Sequence, residues 1–314
     1  MPANWPRLVA MLMLQVRVRP KKRSYFFLQL TTHFVMFYVV IPVFNRKEFT
    51  RECLLSLRAQ TYHSFRTIVV DDGSTDGTDQ MLAEEFPEVE VVTGDGNLFW
   101  TAGVNLGIRR ALELGATRVM TLNNDVVTDP RFVEQMLLDS ERNPNAVLGA
   151  LELDADTGEP IYGGETLNFR TNTRRDLLEV LPPGKRTGLH EVTYLPGRGL
   201  LIPKAVIDKI GLFDEKRLPH YLADFDYTSV ARRNGFPNYL NYNATLRTYP
   251  EESGQTLTRK HRSLKGYYQH LFGIRGGGNM VNFTHFALKN CPAPYLPYFL
   301  LNGYVRRVVG YFLH

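Results

Sequence analysis

The run FYVVIP at residues 37–42 is continuous, apolar and rich in β-branched side chains, as expected of a strand buried on both faces of a mainly parallel sheet. Behind it, residues 46–60 place Phe49, Cys53, Leu54 and Leu57 at helical spacing. The alternation recurs: a strand over 66–70, a helix over 78–86, a strand over 89–93, a helix opening from the loop 94–100 and capped by Gly115, and a strand over 118–122. Asp129 and Pro130 read as the cap and first residue of the next helix. Successive βα units predict an α/β fold with a doubly wound, mainly parallel sheet.

With 314 residues, 44% of them hydrophobic and 12% aromatic, the chain can bury a large core, and disorder is not expected. Cys53 and Cys291 lie far apart with no CxxC spacing, which suggests buried inert thiols rather than a disulfide framework or a zinc site. The formal charge of +5 is concentrated at the two ends. Residues 1–35 are read as a basic N-terminal extension upstream of a start at Met36, and residues 251–314 as a basic, aromatic, helical tail with a hinge at 276–278. Residues 8–18 are too short to span a bilayer and 25–44 are interrupted by polar residues, so no transmembrane helix is expected. The stretch 154–190 reads as turns and short strands, and short helices are expected over 203–210 and 226–234.

In an open α/β sheet, ligands bind beyond the carboxyl ends of the strands. Three such ends carry polar groups here: Asn45, Asp71 with Asp72, and Asn123 with Asp125. No GxGxxG follows the first strand, which disfavours a dinucleotide-dependent oxidoreductase, and no glycine-rich phosphate loop supports a nucleotidyltransferase. No recognition motif accompanies the basic ends, so nucleic acid is not an expected partner.

The segments VVIPVFN at 39–45, QTY at 60–62, VVDDGSTDGT at 69–78, GNLFWTAGVNLGI at 96–108 and LNNDV at 122–126 resemble family 2 glycosyltransferases of the GT-A fold, in the branch with rhamnosyl- and galactofuranosyltransferase-like enzymes. The resemblance covers residues 36–250. It implies a Rossmann-like nucleotide-binding half followed by an acceptor-binding half, and a cytoplasmic enzyme, peripheral on the inner membrane face if the tail rests there.

Carried over by position, the resemblance puts Pro42, Phe44, Asn45, Asp72, Asn97, Trp100, Asn105, Asn123 and Asn124 in the nucleotide-sugar site. Asp72 would accept from the ring N–H of uracil or thymine. Asp125 would hold Mg2+ or Mn2+ at the place of a DXD motif whose first aspartate is here Asn123. In HYLADFD at 220–226, Asp224 takes the place of the general base and Ala223 that of the usual glutamate. Asp226 reads as a helix cap. Arg198, Gly199 and His220 are candidates for the acceptor side. The implied reaction is inverting transfer from a UDP- or dTDP-linked sugar to a hydroxyl of a glycan or lipid-linked acceptor. The alternative is a non-catalytic nucleotide-sugar or glycan binder of the same fold, which would need neither Asp125 nor Asp224.

Overall fold

The structure, a computed structural model, describes residues 36–250 and 263–313. The expectations placed on residues 1–35 and on the first part of the tail, 251–262, lie outside them.

Strand β1 (Phe37–Val43) forms where the apolar run predicts it, and its register pairs it in parallel with β2 (Arg66–Asp71) on one side and β4 (Arg118–Thr121) on the other. β3 (Glu90–Thr93) continues the sheet beyond β2. Pro42 has no N–H to give to a ladder. It is tolerated because the pairing with β4 ends at Val40, so β1 and β4 diverge before Pro42 is reached. That divergence is the switch point of the sheet, with β2 and β3 to one side of β1 and β4 to the other.

Beyond β4 come β11 (Leu200–Pro203), β6 (Val147–Asp154), β12 (Asn238–Thr248) and β10 (Leu189–Glu191). β11 runs antiparallel to both β4 and β6, while β12 is parallel to β6, so β1–β4, β6 and β12 share one direction. The short β5 (Val126–Thr128) and β7 (Pro160–Tyr162) pair with β12 and β6, and β8 (Glu165–Asn168) with β9 (Thr173–Asp176) forms a separate hairpin.

Alternate β1 side chains enter two cores. Phe37, Val39 and Ile41 pack with α1 (Lys47–Arg58), α2 (Thr78–Glu85) and α4 (Phe132–Arg142); Tyr38 and Val40 pack with α3 (Phe99–Glu113), α6 (Lys204–Ile210) and α7 (Ala223–Arg233). A Cβ on Gly107 would come within 2.3 Å of Val40, so glycine is what lets α3 lie against the sheet. Gly115, at φ +88°, follows the end of α3 as expected.

Two local expectations are corrected. α4 begins at Phe132 rather than at Pro130, because Asp129 turns its carboxylate to Thr245 on β12 while its carbonyl accepts from the Phe132 N–H. Asp226 caps nothing: it lies inside α7, is 1% exposed, and accepts from Lys289 Nζ at 2.6 Å and Asn290 Nδ2 at 2.7 Å.

Those partners stand on α9 (Met280–Asn290), which with α8 (Leu264–Phe272) and α10 (Leu296–Leu313) makes up the tail. Phe283, Phe286, Ala287 and Phe299 form a third core against Leu222 and Phe225 of the α7 entry. The glycine run before α9 is packed as well: a Cβ on Gly278 would come within 2.2 Å of the His270 ring. Among the described residues, no helix is long and apolar enough to cross a membrane.

Candidate active site

The loops after β1 and β2 hold each other. Asn45 and Arg46 adopt left-handed backbone at φ 58° and 67°, a conformation that Asn tolerates and Arg does not favour. The turn is held from outside: the Asn45 N–H donates to Ser74 Oγ at 2.7 Å, the Thr75 N–H donates to Asn45 Oδ1 at 2.9 Å, and the Lys47 N–H donates to Asp76 at 2.8 Å. The result turns Arg46 toward the end of β4, where its Nη1 meets Asp125 Oδ2 at 2.9 Å.

Asp72 is buried, and its two oxygens accept from the Gly96 and Leu98 N–H groups, both at 2.8 Å. It thereby fixes the 94–98 turn that opens α3 and sets Trp100 in place. Trp100 Nε1 donates to Asn123 Oδ1 at 2.8 Å, and the indole lies so close over Gly197 that a Cβ there would fall 2.2 Å from the ring. The Gly197 carbonyl accepts from Thr121 Oγ1 on β4 at 2.6 Å, and its N–H donates to Asp224 Oδ2 at 2.9 Å. An unbroken chain of contacts therefore runs from Asp72 through Trp100 and Gly197 to Asp224.

Asp224 stands in the first turn of α7, its other oxygen accepting from the Phe225 N–H at 2.9 Å. Burial raises its pKa above the ordinary carboxylate value, against the lowering effect of the Gly197 and Phe225 N–H groups and of Arg198. Such a carboxylate is a better proton acceptor than an exposed one. Arg198 pairs with Glu152 at 3.0 Å and lies in the field of both Asp125 and Asp224, so residues far apart in the chain share one electrostatic neighbourhood.

Of the other residues singled out from the sequence, Pro42 is half-buried, Phe44 is exposed with the Arg275 guanidinium 6.0 Å from its ring centroid, and Asn97 is exposed beside Asp95. Two asparagines are not open to a ligand. Asn105 is 1% exposed and binds the Phe213 backbone and Glu215, tying α3 to the loop after α6. Asn124 is buried and donates to Thr50 Oγ1 on α1 at 3.0 Å.

On the acceptor side, Gly199 is buried at φ +70°, and a Cβ there would meet Leu246 at 2.7 Å, so its role is to let the backbone pass into β11. His220 packs edge-on to Tyr221, and burial, with Arg275, lowers its pKa to about 4, so it is neutral at pH 7. Arg46, Glu152 and Tyr162 are missed by sequence reasoning. Glu152 left one signal, a lone charge in the otherwise apolar run VLGALEL at 147–153.

A divalent cation, as the resemblance implies, fits Asp125. Its Oδ1 is buried without a hydrogen-bond partner, a hard oxygen of the kind Mg2+ and Mn2+ take. No group of three or more His, Cys, Asp or Glu side chains suited to a metal is found among the described residues, so phosphate and water oxygens would complete the shell. A cavity of about 20 Å³ lined by Tyr194, Phe225, Phe283 and Arg307 has room for about one water and is too small for a sugar.

Comparison with known proteins bears on the family and the fold. Residues 38–187 match the family described as Glycosyl transferase family 2. An uncharacterized protein of Mycobacterium tuberculosis is 25% identical over 232 residues, covering 71% of this chain and 78% of its own. The N-acetylglucosaminyl-diphospho-decaprenol L-rhamnosyltransferase of the same organism is 28% identical over 200 residues, 55% of this chain and 62% of its own. Among solved structures, S. aureus TarS in complex with UDP-GlcNAc superposes with a TM-score of 0.58 over 88% of this chain and 73% of its own; at 15% identity the likeness bears on the fold. Residues 38–187 thus match a family 2 glycosyltransferase domain, and the fold is the mostly parallel α/β fold of TarS.

Proposed function

We propose that this family 2 glycosyltransferase domain transfers a sugar, with inversion, from a UDP- or dTDP-linked donor to a hydroxyl of a glycan or lipid-linked acceptor. The observation that carries the reading is the setting of Asp224: a half-buried carboxylate, raised in pKa by burial and held by two backbone N–H groups, that acts together with Asp125 on the Arg198 guanidinium. A binder without chemistry has no use for a basic carboxylate that shares an electrostatic neighbourhood with a second carboxylate suited to a cation. The relatives include a named rhamnosyltransferase, and a structure of the same fold was solved with a UDP-linked sugar, which supports the donor class.

In this reading, Phe44, Asn45 and the 72–98 region bind the nucleotide, and Trp100 faces the sugar from its fixed position on Asn123 and Gly197. Asp125 would hold Mg2+ or Mn2+ through the free Oδ1, which would offset charge on the departing diphosphate. Asp224 accepts the proton of the acceptor hydroxyl as that oxygen attacks the anomeric carbon; the bond from that carbon to the diphosphate oxygen breaks on the opposite face. With Asp72 taken up by two backbone N–H groups, a base N–H would have to use its remaining lone pairs.

Asp224→Asn is expected to retain nucleotide-sugar binding in calorimetry with manganese and to lose transfer by a factor of roughly 10² or more. Asp125→Ala is expected to lose the manganese-dependent part of donor binding. Transfer by Asp224→Asn at the wild-type rate removes the assignment.

The tail supports a lipid-linked acceptor. No Asp or Glu follows Glu252, and α10 turns Tyr298, Leu301, Val305 and Val309 outward beside Arg306, while α8 exposes Leu264, Tyr268 and Phe272. Apolar stripes on wholly cationic helices suit the surface of an anionic membrane, which is the proposed resting place of the region 251–314.

A further inference from the structure

Glu152 is as deeply buried as any described charge near the site and has no part in the reaction as described. It sits on β6 opposite Tyr162 of β7 and Leu246 of β12, is 1% exposed, and makes no hydrogen bond; its partner is the Arg198 guanidinium at 3.0 Å. The Tyr162 hydroxyl is buried and unpartnered as well. A carboxylate placed at such a position, in a strand whose other residues from Val147 to Leu153 are apolar, must do something that a leucine could not.

Arg198 explains what. It lies between β4 and α7 in the combined field of Glu152, Asp125 and Asp224, with Glu152 the strongest influence. Asp125 already holds Arg46 on one oxygen. Asp224 holds only backbone N–H groups, so it is the carboxylate with room for a guanidinium. An arginine paired directly with a carboxylate lowers that group's pKa by about one to three units, which would weaken a base.

We propose that Glu152 is a positioning residue that reserves Arg198, holding the guanidinium off Asp224 so that the Asp224 carboxylate stays free to take a proton. The inference rests on the reading of Asp224 as the base, and it accounts for a departure in this sequence: the carboxylate missing at Ala223, next to the base, is replaced in charge balance by one supplied from β6. Among the described residues, the charged and titratable groups that interact with Asp224 are Arg198, Glu152 and Tyr162, with Asp125 acting on Arg198 alongside it, and of these only Arg198 is a cation.

The test reads Asp224 directly. Carbon-13 labelled protein is titrated by NMR, with the Asp224 carboxyl signal assigned through its loss in Asp224→Asn, in wild type, Glu152→Gln and Glu152→Gln/Arg198→Met. In Glu152→Gln the Asp224 midpoint is expected to fall by about one pH unit or more as Arg198 turns to it. Removing Arg198 in the double variant is expected to return the midpoint to the wild-type value or above, which a merely structural role for Glu152 would not do. Glu152→Asp, which withdraws the carboxylate by one methylene, is expected to show a smaller fall and serves if Glu152→Gln does not fold. A wild-type midpoint in the folded single variant, or a fall that persists in the double variant, overturns the proposal. The measurement needs neither donor nor acceptor, so its failure leaves transfer through Asp224 standing, and failure to find a donor leaves its result intact.

Discussion

Replacing Gly197 with alanine separates the positioning of the site from its chemistry. The new Cβ would lie 2.2 Å and 2.4 Å from two atoms of the Trp100 ring. Ordinary carbon contacts fall at about 3.5 Å, so the indole must retreat by roughly 1.3 Å. Overpacking of this size costs about 1–3 kcal/mol, and losing the Trp100–Asn123 hydrogen bond about 0.5–1.5 kcal/mol more. Because the Gly197 N–H supports Asp224, the strain also reaches the proposed base. A misplacement near 1 Å costs on the order of 10²-fold in rate. The expected outcome is therefore a folded protein, several degrees less stable, with transfer reduced about a hundredfold.

The chain has two tryptophans, so in a Trp5→Phe background the emission reports Trp100 alone and should shift as the indole leaves Asn123. A Gly197→Ala protein with wild-type emission and a rate within about twofold of wild type would show that the contact chain from Trp100 to Asp224 does not govern the site.

Three further outcomes are expected. His220 has a pKa lowered by burial and Arg275 from 6.5 to about 4, so the unfolded chain binds a proton before the folded one does; stability should fall as pH drops through the window from 6.5 to 4, by at most about 3 kcal/mol, and His220→Gln should flatten that limb in melting curves at pH 7 and pH 5. Asp226→Ala leaves Lys289 and Asn290 without their buried acceptor and should destabilise the protein by about 2–3 kcal/mol in urea, the half-exposed Lys289 recovering some hydration; an unchanged midpoint would mean that α9 is not pinned by this contact. Leu301→Glu with Val305→Glu should weaken binding to phosphatidylglycerol vesicles at least tenfold without lowering the melting temperature, since both side chains face outward; unaltered binding would remove the membrane reading of α10.

The buried apolar runs at 37–42 and 68–70 announce their strands because a strand covered on both faces can be little else, and the polar residues that follow them mark the ligand edge of the sheet. The place of Asp125 at a strand end was legible for the same reason, whereas Asp224 was singled out only through the family resemblance. Local signals were weaker where a distant partner competes. Asp129 looks like a cap until Thr245 claims its side chain, and Asp226 looks like one until α9 brings Lys289.

By itself, then, the sequence determined the order of strands and helices, the polar edge and the family, since periodicity and short motifs are properties of neighbours in the chain. Tertiary structure alone decided that Asn105 and Asn124 serve the framework, that Gly197 seats the indole, and that Glu152 engages Arg198. Each of these joins segments far apart in the chain, Asn105 and Asn124 between a helix and a loop, Gly197 and Glu152 beside the β4, β11 and β6 strands, and side chains brought together by tertiary packing carry no mark of one another in the linear order.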